Sequence, residues 1–234
     1  MRNICSENIN FVDWETIPYA QAYQQQKELF EKALQNKAKG QIVENTVVFC
    51  EHPPVITLGK NGLLSNLLFP ETVLKEKNVE WYRTDRGGDI TYHGPGQIVC
   101  YPILDLETIG LGLKEYIYRL EEAIICTLAE YGIRGERVSG ATGVWIDKDT
   151  AGRTRKIAAI GVRSSRYVTM HGFAFNVNTN LSYFRLIHPC GFTDKGVTSL
   201  AQELGHPIAL EPVKIALKRA LLRELFEINT TSKD

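Results

Sequence analysis

Apolar residues along this chain change spacing in a way that separates helices from strands. At Leu113, Ile117, Leu120, Ile124, Leu128 and Tyr131 they recur at steps of three and four, which predicts a helix over 113–131 with one buried stripe. Pro18 to Leu34 repeats the pattern at Ala22, Leu29, Phe30 and Ala33, with Pro18 in the first turn, where its missing N–H costs no helical bond. A last helix is predicted from Pro212 to about Glu227 on Val213, Leu217, Ala220 and Leu221, and short ones over Glu71 to Lys77 and Ser199 to Leu204. The runs NINFVDW, VEWYRT, QIVCYPILDL, GVWID, RKIAAIGVRS and YVTMHGFAFNV read as strands. Thr46 to Cys50 reads as a buried strand, stopped by Pro53 and Pro54 and resumed as a short extended piece to Leu58. The polar DKDTAGRT between two of these runs reads as a hairpin tip.

Strands and helices therefore mix without strict alternation, and the expected fold class is α+β, a mixed β-sheet flanked by helices. No repeat, low-complexity tract or linker interrupts the chain, so residues 1–234 are expected to form a single domain.

Composition narrows the function by exclusion. A hydrophobic share of 44% and a charged share of 23% are enough for a well-filled core. Lys plus Arg and Asp plus Glu are equal at 27 each, so no net field draws the whole molecule to nucleic acid or anionic lipid. The five cysteines form no CxxC pair and are odd in number, which argues against a disulfide framework and a zinc site. The opening MRNICSENINFVDW has no apolar core of a targeting segment, and no run approaches a bilayer span. A cytoplasmic protein with no membrane and no nucleic-acid partner is expected.

DRGGDITYHGPGQIVCYP, Asp85 to Pro102, is the most unusual stretch: a loop dense in glycine and proline ahead of a buried strand. It is neither GxGxxG nor a P-loop, so it reads either as a loop holding a ligand against bare main chain or as plain turn glycines before a core strand. Cys50, Cys100 and Cys126 lie in apolar runs and read as small buried hydrophobes. Cys190 lies in a loop between Pro189 and Gly191 and is the candidate nucleophile, which requires a base or cation nearby. Lys156 opens the apolar strand KIAAIGV; it reads either as a solvated hairpin lysine or as a base tuned by apolar surroundings. His52 and His206 read as structural, while His93, His171 and His188 lie nearer the glycine loop and Cys190.

RGGDITYHGPGQIVCYP resembles the signature of the lipoyl(octanoyl) transferases, and EHPPVITLG, RKIAAIGVRSSRYVTMHGFAFNV and HPCGFTDKGVTSL agree in the same order, from about Glu51 to Leu200. The resemblance implies the fold of the catalytic domains of lipoate and biotin protein ligases, and an enzyme that moves an octanoyl group from acyl carrier protein to lipoate-dependent enzymes. It implies that Cys190 accepts the acyl group and that Lys156 tunes it. Arg86, Gly87, Gly88, Asp89, Ile90, Thr91, Tyr92 and His93 match the loop lining the acyl site, and Ala159, Ile160, Gly161, Gly172, Phe173 and Ala174 match two strand segments lining the rest.

The implied donor is octanoyl-acyl carrier protein, and the implied acceptors are lipoyl domains of 2-oxoacid dehydrogenases and the glycine cleavage H protein; no cofactor or metal is implied. On this resemblance the glycines are expected to let backbone approach the acyl chain, with Gly172 setting its depth. Arg83, Arg86, Arg163 and Arg166 are either faces for the acidic carrier or ordinary surface charges. Alternatives are an ATP-dependent lipoate ligase on the same fold, a cysteine-dependent acyl hydrolase, and a non-catalytic binder of lipoyl domains.

Overall fold

The computed structural model describes residues 9–188 and 195–227. Its first strand, β1 (Ile9–Thr16), leads into α1 (Tyr19–Ala38), then β2 (Asn45–Glu51) and β3 (Val55–Leu58). After α2 (Glu71–Glu76) come β4 (Glu80–Arg83), β5 (Ile90–His93) and β6 (Gln97–Ile103). The short α3 (Leu106–Ile109) and long α4 (Leu113–Glu130) precede β7 (Glu136–Val138), β8 (Ala141–Ile146), β9 (Arg155–Ser165) and β10 (Val168–Asn176). β11 (Gly196–Val197), α5 (Leu200–Leu204) and α6 (Leu210–Leu222) close the order.

The main sheet runs β1-β2-β6-β10-β9-β8-β7 and is mixed: β1 and β2 are parallel, and the later neighbours antiparallel. Alternation sorts β2 into two faces, with Val47 and Phe49 in one core and Val48 and Cys50 in another. On the first face lie α4 and α6, whose Leu120, Ile124, Leu128, Val213, Leu217 and Leu221 are fully buried. On the second lies α1, through Ala22, Phe30 and Ala33. Both faces being covered explains why β2, β6 and β10 read as nearly continuous apolar runs.

β3 does not continue β2 in the same sheet. Pro53 and Pro54 turn the chain out, and β3 becomes the centre of a second sheet, β4-β3-β5, with its own small core around Ile56, Leu58, Leu74 and Ile90. Its strand β5 lies inside the stretch expected to be all loop: ITYH pairs antiparallel with VITL of β3. Other boundaries shift for simple reasons. Pro18 is the N-cap of α1 rather than its first helical residue, and α6 begins at Leu210, which leaves Pro212 in the first turn where it is tolerated. The strand run QIVCYPILDL stops at Ile103; Asp105 then caps α3 by accepting from the Glu107 N–H at 3.2 Å. The polar 147–154 segment joins antiparallel β8 and β9, the hairpin the pattern predicts.

β11 takes an unusual place. β9 gives one edge to β8, while its other edge pairs with β10 as far as Ala158 and then with β11 at Lys156 and Arg155. β11 thus occupies the edge of β9 that β10 has left, running parallel to it.

Candidate functional site

A cavity of about 440 Å³ lies between the main sheet and the second sheet. Its floor is made of small residues in register: Val99 of β6 stands opposite Ala174 of β10, which stands opposite Ala159 of β9, and one step on Gly172 faces Gly161. Small side chains at three adjacent strands leave a lane instead of a filled core. Ile90, Thr91 and His93 of β5 line it from the second sheet, with Arg86, Gly88, Asp89, Ile160 and Phe173 also contributing.

The glycines of the floor serve packing before they serve any ligand. A Cβ on Gly172 would lie 2.1 Å from the Cys100 carbonyl oxygen, and one on Gly161 would lie 2.7 Å from that of Gly87. Gly172 lets β10 and β6 approach, a packing role it holds beside its place in the cavity lining. Gly87 and Tyr92 do not line the cavity: the Gly87 N–H donates to the Val162 carbonyl at 2.9 Å, and Tyr92 turns into the second sheet's core, its ring stacked at 4.9 Å on Tyr183.

Arg86 is buried and holds the glycine loop from within. Its Nη2 donates to the carbonyls of Thr57 at 2.6 Å and Asp89 at 2.8 Å, and its Nε to Thr57 Oγ1 at 3.1 Å. It is therefore no face for an acidic partner. Arg163 pairs with Asp85, whereas Arg83 and Arg166 are exposed. Asp85 also accepts from His171 Nε2 at 2.7 Å; that bond and Arg163 hold its carboxyl down at about 2. His171, also in the lining, sits at φ 60 within β10, a left-handed backbone that only a fixed environment sustains.

A chain of hydrogen bonds links the glycine loop to the edge of β9. Thr57 Oγ1, already accepting from Arg86, donates to His93 Nε2 at 3.2 Å; His93 Nδ1 donates to Gln97 Oε1 at 2.9 Å. The Gln97 amide donates to Asn176 Oδ1 at 2.8 Å, and the Asn176 amide to the Thr198 carbonyl at 3.0 Å. The Thr198 N–H then donates to the Lys156 carbonyl at 2.9 Å. Burial, assisted by the nearby charges of His52 and Arg86, pushes His93 down to about 3. A neutral ring with both nitrogens engaged positions its neighbours; it is poorly suited to carry protons.

Lys156 lies at the β11 end of the cavity, half-buried, with Nζ 4.5 Å from the centre of the Trp145 ring and donating to the Thr142 carbonyl at 3.1 Å. It is thus not a hairpin lysine pointing into water. Lys195, Gly196 and Val197 line the same end. Cys190, the expected nucleophile, lies outside the described residues. The described chain stops before it at His188, whose N–H donates to the Asn66 carbonyl at 2.8 Å, and resumes at Lys195 beside β11.

Several lining residues carry no signal of their own in the sequence. Tyr19, Trp145, Gln97 and Asn176 sit in runs read only as helix or strand. For Asn176 a clue exists, a polar residue ending the apolar FAF run; for Tyr19 and Trp145 an aromatic residue looks like any other core residue.

Comparison with known proteins agrees with this geometry. The lipoyl protein ligase A/B catalytic domain model matches residues 18–222. Relatives named octanoyltransferase include that of Bacteroides fragilis, 59% identical over 91% of this chain and 96% of its own length. That of Parabacteroides distasonis is 57% identical over 94% of this chain and 99% of its own length. Among solved structures, a bipartite lipoate protein ligase of Thermoplasma acidophilum superimposes with a TM-score of 0.69 at 14% identity, covering 92% of this chain and 83% of that one. A biotin protein ligase from Aquifex aeolicus, in complex with biotin and ATP, gives 0.54 at 13% identity, covering 97% of this chain and 73% of that one. At such identities these two likenesses concern the fold, and it is the mixed sheet with flanking helices that the sequence pattern predicts.

Proposed function

The chain belongs to the lipoyl protein ligase A/B catalytic domain family and acts as an octanoyl-transferring acyltransferase; from that premise we propose a two-step transfer through Cys190. The donor is octanoyl-acyl carrier protein, and the acceptor is the lysine of lipoyl domains in 2-oxoacid dehydrogenases and the glycine cleavage H protein. The Cys190 thiolate attacks the donor's thioester carbonyl, the carbon–sulfur bond to the carrier breaks, and the carrier leaves as a thiol after taking a proton. The acceptor amine then attacks the acyl-cysteine, the bond to Cys190 breaks, and an amide forms with loss of one amine proton. Exchange of one thioester for another is nearly even in energy, and the greater stability of the amide draws the sequence forward without ATP.

Lys156 is read as the group that takes the thiol proton and later the amine proton. The observation that supports this most is the place of Lys156 in the wall of the cavity, beside the strand that follows the Cys190 segment. The lane of Val99, Ala174 and Ala159 offers the alkyl chain an apolar floor. Residues 1–234 are read as one catalytic domain acting in the cytoplasm. The described cysteines are free thiols, and no helix among the described residues is long and apolar enough to cross a membrane.

The test is transfer itself: purified protein, octanoyl-acyl carrier protein and a lipoyl domain, without ATP. Octanoyl-lysine on the lipoyl domain is expected. A requirement for free octanoate and ATP would favour the ligase reading, and release of octanoate without amide would favour the hydrolase.

A further inference from the structure

We propose that Tyr19 is the end wall of the acyl cavity and the residue that limits the chain length accepted, an inference that rests on the reading that the acyl carbonyl sits at the Lys156 end. The sheet register gives the cavity a direction. Along β9 the floor runs from Lys156 past Ala159 to Gly161, about 16 Å at the usual rise of a strand. Val99 of β6 is level with Ala159, and Tyr101 lies two residues further from Lys156. Tyr101 and His171 therefore mark the far end, and Tyr19 stands with them in the lining. Its ring is 5.4 Å from that of His52, which accepts from the Tyr101 hydroxyl at 2.7 Å, and 6.1 Å from that of Tyr23, which stacks on His171 at 5.7 Å.

Tyr19 is built to stay in place. It is the first residue of α1, directly after Pro18, and the chain leading to it is tied down twice: the Ile17 N–H donates to the Glu51 carbonyl at 3.0 Å, and His52 Nδ1 donates to the Ile17 carbonyl at 2.7 Å. The ring itself lies edge-on to His52, at 5.4 Å from Tyr82 and parallel to His93 at 6.2 Å. At 3% exposure it has no room to swing outward.

A wall of this kind is needed because apolar contact alone discriminates chain lengths weakly and always in favour of the longer chain. Each buried methylene adds about fourfold to partitioning, so an open-ended apolar lane would bind longer chains better. A fixed aromatic ring reverses the sign at the length where the terminal methyl meets it, because a close-packed interior does not yield to one more carbon.

The experiment compares kcat/KM for octanoyl-, decanoyl- and dodecanoyl-acyl carrier protein in wild type, Tyr19→Ala, Tyr19→Leu and Tyr19→Phe, each with its thermal midpoint. Shortening the side chain should raise the dodecanoyl-to-octanoyl ratio at least tenfold, while Tyr19→Phe keeps the wild-type ratio because the ring remains. A general folding defect lowers all donors together and leaves the ratio unmoved. Should Tyr19→Ala not fold, Tyr19→Leu carries the same comparison with apolar packing retained. An unchanged ratio in the folded shortened variants overturns the assignment of Tyr19. Failure of wild type to use any of the three donors overturns the transfer reading instead.

Discussion

Lys156 Nζ lies 4.5 Å from the centre of the Trp145 ring, so the two residues that neighbour each other across β8 and β9 also meet inside the cavity. Trp145 is fully buried, and its indole N–H donates to the Ala141 carbonyl at 2.9 Å, which fixes the ring the lysine rests against. Replacing Lys156 with arginine keeps a cation able to stack on that ring but supplies a group that does not deprotonate in proteins. Lys156→Arg should keep its thermal midpoint within a few degrees and lose transfer by about 100-fold or more. Measuring both is decisive, since an arginine variant with near wild-type turnover contradicts a proton-transfer role.

Gly172 tests packing against substrate contact. Its missing Cβ is required by the Cys100 carbonyl, at 2.1 Å from where that atom would stand. Gly172→Ala should therefore cost at least about 2 kcal/mol of stability by pushing β10 from β6. Urea unfolding reports this directly; a variant of normal stability with altered chain-length preference would favour the role first expected of this glycine.

Arg86→Lys should be destabilising by about 2 to 3 kcal/mol, because the three N–H of one ammonium group cannot serve the carbonyls of Thr57, Gly87 and Asp89 together with Thr57 Oγ1. Equal stability of variant and wild type in urea would show that the guanidinium does not hold the loop.

The sequence pattern carried the helices and the main sheet far better than the second sheet. α4 and α1 bury one stripe against a sheet, and their three-and-four spacing records that directly. β5 has only four residues in a stretch crowded with glycine, and nothing local in ITYH shows that β3 will lie alongside it. The separation of β3 from β2 was equally hidden: Pro53 and Pro54 announce a break, but not which sheet the chain joins next. For the site, the glycine loop and Lys156 stand out in the sequence and the floor segments follow from the family resemblance; they line one cavity, whereas Tyr92 faces a core and Gly87 anchors to Val162. Arg86 reads, by the family resemblance, as part of the acyl-site loop and otherwise as either a carrier face or a surface charge; only tertiary structure collects the carbonyls that let it be buried. The His93, Gln97 and Asn176 chain is beyond reach for the same reason, since each bond joins residues from different segments of the fold.

Two buried histidines set an acid limit on the fold. Burial pushes His52 down to about 4 and His93 to about 3, from an unfolded value of 6.5. Between these values and 6.5 the unfolded chain binds more protons than the folded one, so stability is full above 6.5 and falls as pH falls through the window. Each histidine should cost about 2 kcal/mol between pH 7 and pH 5. Urea midpoints at the two pH values check this, and His93→Gln should reduce the loss by about 2 kcal/mol. A stability that is level from pH 7 to pH 5 would mean these rings are not held neutral.

Covalent transfer through Cys190 is tested most directly by intact mass. The purified protein is incubated with octanoyl-acyl carrier protein, without ATP or acceptor, and the modified peptide is identified. One octanoyl group on the Cys190 peptide, released by hydroxylamine and absent from Cys190→Ser, is the predicted result. Octanoylation of a lipoyl domain by a protein that never carries the acyl group, or by Cys190→Ser at close to the wild-type rate, would contradict the account.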